Sequence, residues 1–158
     1  MAEYYCQKLQ VELELYSRTL EREGWQVLVA QSPRHDDRDW SRNPPLISRV
    51  KGLVQSHLSR QIHQTRLLLL LGHVPVPYSG FRALDGHTRP QDDHRGAWPC
   101  DVYYGDLDGI WTDHSVSHMN QTSRLNSNLP GDGKFDQDLT PTLLEVGVGR
   151  VDFANMPS

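Results

Sequence analysis

The run Leu67–Leu71, leucine at every position, constrains this chain more than any other feature. A strand apolar on both faces suits the centre of a parallel sheet covered by helices on both sides. The run is far short of the roughly 20 residues that a membrane span needs. Upstream, residues 25–30 (Trp-Gln-Val-Leu-Val-Ala) are short, β-rich and apolar, and they predict a second strand. Between the two, Asn43 followed by Pro44 and Pro45 predicts a helix start. Leu46, Ile47, Val50, Leu53, Val54 and Leu58 then line one face of a helix over residues 45–58. Strand, helix, strand makes a βαβ unit, which is right-handed in nearly all proteins. A leading helix is expected over residues 4–22. Leu9, Leu13, Tyr16 and Leu20 recur there at helical spacing, Cys6 serves as packing, and Gly24 ends the helix.

Residues 72–142 show no helical pattern. They are rich in Gly, Pro, Asp, Asn and aromatics, with a short strand expected at residues 101–104. A structureless segment this long needs something to tie it down. Trp98, Trp111, Tyr78, Tyr103, Tyr104 or a metal ion are the candidates. A further strand is expected at residues 143–149. No helix follows it, so the parallel sheet is expected to be incomplete. The organisation is thus one α/β domain, with a βαβ unit and its leading helix in residues 1–72. A loop-rich segment fills residues 73–142, and a last strand lies within residues 143–152.

Charge divides the chain unevenly. Residues 1–80 carry 10 basic and 8 acidic side chains, whereas residues 81–158 carry 6 basic and 12 acidic. Of those 12 acids 11 are Asp, a poor helix former that prefers turns and ligates hard cations. The net charge of −4 supplies no basic excess for phosphate contacts, which argues against a nucleic-acid partner. Two cysteines, Cys6 and Cys100, exclude a disulfide framework and a four-cysteine zinc site.

Two loops carry the carboxylates of interest. Residues 105–113 hold Asp106, Asp108 and Asp113 around a glycine turn. Residues 128–136 hold Asp132 and Asp136 in Asp-Gly-Lys-Phe-Asp, which matches the fifth, sixth, eighth and ninth positions of an EF-hand loop. Pro130 at the third position and Leu139 in place of the bidentate Glu exclude a complete EF-hand. These five aspartates are the candidate metal ligands, with calcium as the candidate ion. The competing account is that Arg82, Arg95, Arg124 and Lys134 neutralise them. His114 and His118 stand at i, i+4 spacing, and His73 follows the leucine strand where α/β folds place functional residues. A zinc hydrolase built on those histidines is a third, weaker reading. Cys100, after Pro99 and among aromatics, reads as a buried structural thiol. No glycine-rich phosphate loop and no Gly-x-Ser-x-Gly element occurs.

Several strings carry a family resemblance. They are Leu-Leu-Leu-Gly-His-Val-Pro-Val-Pro-Tyr-Ser-Gly (69–80), Asp-Gly-His (85–87) and His-Arg-Gly-Ala-Trp-Pro (94–99). Val-Tyr-Tyr-Gly-Asp-Leu-Asp-Gly (102–109), Trp-Thr-Asp (111–113), Pro-Gly-Asp-Gly-Lys-Phe-Asp-Gln (130–137) and Val-Gly-Arg-Val-Asp (148–152) follow in order. Together, over about residues 20–157, they resemble the N-terminal half of gingipain-type bacterial cysteine peptidases. The resemblance implies an α/β fold: a partial caspase-like or flavodoxin-like parallel sheet with flanking helices and a long loop-rich insertion. It also implies calcium binding, a polypeptide substrate once the domain is completed downstream, and an exported or cell-surface location, though no basic-then-apolar stretch opens the chain. The family's catalytic His lies in a His-Gly element, and its Cys follows the next strand, both beyond the Val-Gly-Arg strand. No His-Gly pair occurs in this sequence, so no residue here takes a catalytic role. The alternative is a non-catalytic, calcium-stabilised module of a larger surface protein.

Overall fold

A computed structural model describes residues 9–58, 65–82, 95–154 and 156. Residues 4–8 of the expected leading helix, Cys6 among them, lie outside the described residues. The helix itself, α1, runs Gln10–Arg22. Glu12 in its first turn and Arg22 in its last complement the helix dipole. Gly24, at φ +93°, ends it while the Trp25 amide reaches back to the Leu20 carbonyl. None of its residues is buried.

The second helix, α2, spans Asn43–Leu58. Its start is fixed before the helix begins. Asp39 accepts the Ser41 amide and so caps a 3-10 turn at Trp40–Arg42. The Asn43 carboxamide then grips both backbone groups of Asp36, at 2.8 and 2.9 Å. Ile47, Val50, Lys51 and Val54 recur at helical spacing and are the buried face.

The leucine run forms strand β1, Leu67–Leu71, which pairs in parallel with β4, Gly147–Val151. Leu67 stands opposite Gly147 and Leu71 opposite Val151. Between them in sequence lie two short antiparallel strands, β2 (Tyr78–Ser79) and β3 (Trp98–Pro99), and a one-turn helix α3 (Val102–Gly105). The architecture is mixed α/β, with a small parallel sheet and flanking helices. Its core joins Ile47, Val50 and Val54 of α2 to Leu70, Val74, Tyr103, Tyr104, Leu107 and Val146. No described helix is long and apolar enough to cross a membrane.

Four expectations need correction. The leucine strand is not the covered centre of a sheet or the second strand of a βαβ unit: among the described strands it pairs only with β4, and Leu67 and Leu69 are exposed. Residues 25–30 belong to no strand, and Leu28 and Val29 are more than half exposed. β propensity reports fit to a pleated, packed surface, and here it finds none among the described strands. Residues 101–104 are not a strand but the approach to α3, because the Tyr104 amide turns back to the Asp101 carbonyl and both tyrosines enter the core. The last strand starts at Gly147 rather than residue 143. The amides of Glu145 and Val146 are both drawn to the Gly105 carbonyl, so the ladder with β1 begins only after them.

The loop-rich segment is tied to this core by polar side chains rather than by regular structure. Trp40 donates its indole N–H to the Asp132 carbonyl at 2.7 Å. Gly133, at φ +83°, packs so closely on Pro44 that a Cβ would sit 2.1 Å from the Pro44 ring. Buried Asn128 donates to the carbonyls of Gly80 and Phe135. Tyr103 stacks on Phe135 and Trp111 packs edge-on against both, with ring centroids 4.5–5.4 Å apart.

Candidate functional site

The carboxyl ends of β1 and β4 hold one constellation, at the edge where parallel α/β sheets bind ligands. His73 follows β1 by two residues and Asp152 follows β4 by one. The His73 Nδ1 lies 2.6 Å from Asp152 and its Nε2 lies 2.7 Å from Asp37. The ring is buried. Both ring nitrogens are thus engaged, each by a carboxylate from a different part of the chain. Asp37 comes from a loop shaped by its neighbour. Asp36 accepts the amides of Arg38 and Asp39, and these two bonds hold its carboxyl below the usual carboxylate range. Burial resists ionisation of Asp152, but the bonds from His73 and from the Ala154 amide outweigh it and keep its carboxyl low. Arg150 closes the edge, with a two-pronged bond to Asp101 at 2.7 Å per prong and a further bond to the Val74 carbonyl.

His35 packs edge-on against His73, with 5.1 Å between centroids. Burial, and then the His73 charge, hold its ring below the ordinary histidine value. Its Nδ1 accepts the Val76 amide at 3.1 Å. Ligand atoms of His35, Asp37 and His73 lie within 4.8 Å of one another, which is metal-site spacing. Yet the His73 nitrogens and the His35 Nδ1 are already engaged within the protein. His114 and His118 do not join this group. His114 is exposed beside Asp136, and the His118 ring packs on Phe81.

Of the five candidate aspartates, the structure brings Asp106 and Asp108 together, and it adds Glu145. One carboxylate oxygen of each lies within 4.8 Å of the others. Asp106 is fully buried. It accepts the Gly109 amide at 2.9 Å and the Trp111 indole N–H at 3.1 Å, while Glu145 accepts the Leu107 amide. The Thr142 hydroxyl touches both Asp106 and Asp108. A hydroxyl has one hydrogen, so one of those oxygen–oxygen contacts has none. Lys51 is the cation facing this cluster. Its ammonium bonds the carbonyls of Tyr103 and Asp106, and burial pulls it below the ordinary lysine value against the attraction of Asp106, Glu145 and Asp108. These residues form an acidic group that could hold a metal ion.

Asp113, Asp132 and Asp136 are placed elsewhere, with their oxygens turned to backbone amides. Asp113 accepts the amides of Gly131 and Gly133, at 2.8 and 2.7 Å. Asp132 accepts those of Leu129 and Lys134 and pairs with the Lys134 ammonium at 3.1 Å. Asp136 receives the Thr112 hydroxyl and the amides of His114, Ser115 and Val116. Burial works against ionisation of Asp136, but the Val116 and His114 amides, the Thr112 hydroxyl and the Ser115 amide prevail. They hold its carboxyl well below the carboxylate range. Among the named neutralising cations, Lys134 does pair with an aspartate of these loops.

Cys100 is a free thiol pushed up to about 11 by burial, against one backbone hydrogen bond from Tyr103. A thiol so placed is a poor nucleophile at neutral pH. Sequence reasoning missed Asp37, Asp152, Glu145 and Thr142. Asp152 did carry a signal: it lies just past the strand expected over residues 143–149, as His73 lies just past the leucine strand. Comparison of the chain with protein-family models, with curated proteins and with solved structures finds no match.

Proposed function

We propose that this chain is a calcium-stabilised, non-catalytic part of an α/β domain of the gingipain-like cysteine-peptidase type. The observation that carries the calcium reading is the Asp106–Asp108–Glu145 group. Among the described residues three carboxylates face the Lys51 ammonium, and every ligand atom offered is oxygen. That set fits a hard divalent cation, which takes about 6–8 oxygens, with Thr142, carbonyls and water making up the number. The non-catalytic reading rests on Cys100 and the histidines. The thiol stays protonated at neutral pH, and it forms no hydrogen bond with a histidine among the described residues.

Thermal melts in calcium and in chelator test the first part. At free calcium ~100 times Kd, binding only to the folded state adds about 2.7 kcal/mol. For a chain of this size that raises the midpoint by roughly 5–10 °C. Asp108→Asn should abolish the shift, and identical midpoints in both buffers would refute calcium stabilisation. A shift produced by zinc and not by calcium would favour the histidine reading instead. For the second part, purified chain should not hydrolyse peptides. Thiol-dependent hydrolysis that is lost in Cys100→Ala would overturn it.

A further inference from the structure

A cavity of about 460 Å³ opens on the face of the loop-rich segment, and no residue of the His73 or Asp106 groups lines it. That volume is near the lower end of the range for small-molecule sites. Its apolar wall is Trp98, Pro99, Val102, Trp111 and Leu139, with the Cys100 side chain beside them. The wall is rigidly built. Trp111 is pinned through its indole N–H to Asp106 and packs edge-on against Tyr103 and Phe135. Trp98 and Pro99 form β3, paired with β2, and the Cys100 amide bonds the Pro77 carbonyl at 2.8 Å.

The polar lining is mostly spent. Ser79 donates its hydroxyl to the Gln137 carbonyl, and the Gln137 carboxamide is bonded to Thr112. One Asp138 oxygen accepts the amides of Phe81 and Arg82. Arg82 differs. Only its backbone amide is bonded, and its exposed guanidinium has no partner among the described residues. The cavity therefore offers an apolar wall that includes two tryptophans and, among the described residues, one unpaired guanidinium. Guanidinium and carboxylate match as a fork. The Asp138 carboxylate in the same lining repels a doubly charged anion such as a phosphate ester more than a single carboxylate. Aromatic rings also gain from edge and face contacts with tryptophan that an alkyl chain lacks.

We propose that this cavity binds a single aromatic ring bearing one carboxylate, with the ring against Trp98 and Trp111 and the carboxylate on Arg82. Such a group occurs on small aromatic acids and at the C-terminus of a polypeptide ending in Phe, Tyr or Trp.

The test uses the full chain with Cys6→Ser, so that Cys100 is its one thiol. The probes are 3-phenylpropionate, its uncharged amide, and a tripeptide ending in Phe as the free acid and as the amide. Calorimetry should show the acid binding about 10-fold tighter than the amide, the usual worth of one charge-assisted contact. Arg82→Gln, a surface change, should erase that difference and leave amide binding as it was. Bound acid should also slow alkylation of Cys100 by iodoacetamide near pH 9, where enough thiolate forms to react. Tripeptide acid binding at least as tightly as 3-phenylpropionate would identify a polypeptide terminus as the ligand. Weaker tripeptide binding would identify a small aromatic acid. Equal affinity for acids and amides, no effect of Arg82→Gln, or an unprotected Cys100 would each overturn the proposal.

Discussion

Replacing Asp136 by Asn removes half of the acceptor on which residues 112–116 are hung. One carboxylate oxygen takes the Thr112 hydroxyl at 2.8 Å and the His114 amide at 3.0 Å. The other takes the amides of Ser115 and Val116, at 3.0 and 2.8 Å. An Asn must turn its NH2 group toward one of these pairs. Facing Ser115 and Val116 would strand two backbone N–H groups. Facing Thr112 and His114 strands one, since the Thr112 hydroxyl can rotate to accept. The second arrangement wins, and it leaves the other two bonds neutral instead of charge-assisted. A stranded donor costs about 1–3 kcal/mol, and each weakened bond about 1 kcal/mol. His114 and Ser115 are exposed enough for water to recover part of this, so the expected loss is about 2–3 kcal/mol. That is a large share of a typical total of about 5–15 kcal/mol. Urea unfolding followed by tryptophan fluorescence should show a midpoint lower by about 1 M or more, with an unchanged slope. A loss below about 0.5 kcal/mol would refute the reasoning. So would a loss that vanishes in chelator, which would make Asp136 a metal ligand after all.

The same carboxylate sets a pH dependence. Its folded pKa is depressed, so its contribution is complete above the ordinary Asp value of 3.8 and is lost as pH falls below it. The wild-type urea midpoint should therefore drop as pH falls through about 4 and below, and Asp136→Asn should flatten that drop. Asp152 and Asp36 are depressed as well, so some slope should remain in the variant.

What the amino-acid order reveals here follows from range. The α2 helix and the leucine strand were legible because each is written in a local apolar pattern, and the structure keeps Leu67–Leu71 as a strand, though with Leu67 and Leu69 exposed rather than covered. That β4 would lie beside β1 was not legible. Gly-Val-Gly-Arg-Val has little apolar pattern, and its fit to β1 depends on a glycine at 147, where a Cβ would lie 2.9 Å from the side chain of Leu67 opposite it. Asp-rich loops were visible, but not their division of labour. Whether an Asp ligates a cation or caps a turn depends on which backbone amides face it, and Asp136 finds its partners 20–24 residues upstream. The His73 constellation was half legible. Its strand-end position pointed to a site, but Asp37 and Asp152 reach it from 36 and 79 residues away.

Two glycines should respond in opposite directions to alanine. At Gly105 a Cβ would lie 2.4 Å from the Val146 carbonyl, so Gly105→Ala should destabilise by about 1–3 kcal/mol in urea unfolding. At exposed Gly52 of α2 nothing lies within 4 Å, so Gly52→Ala should stabilise by about 0.5–1 kcal/mol; the same sign at both sites would contradict this packing. The last prediction concerns the clamp at the sheet edge. His73 is bonded by Asp152 and Asp37 at once, so it ties the ends of β1 and β4 to the loop that carries Asp37. His73→Gln and Asp152→Asn should therefore be non-additive, with the double variant less damaged than the sum by about 1–2 kcal/mol. The reason is that each single change already weakens the same bond to a carboxylate, so the second change removes little more of it. Additivity within about 0.5 kcal/mol would mean that the two side chains are neighbours without being partners, and the edge would then be held by Arg150 and Asp101 alone.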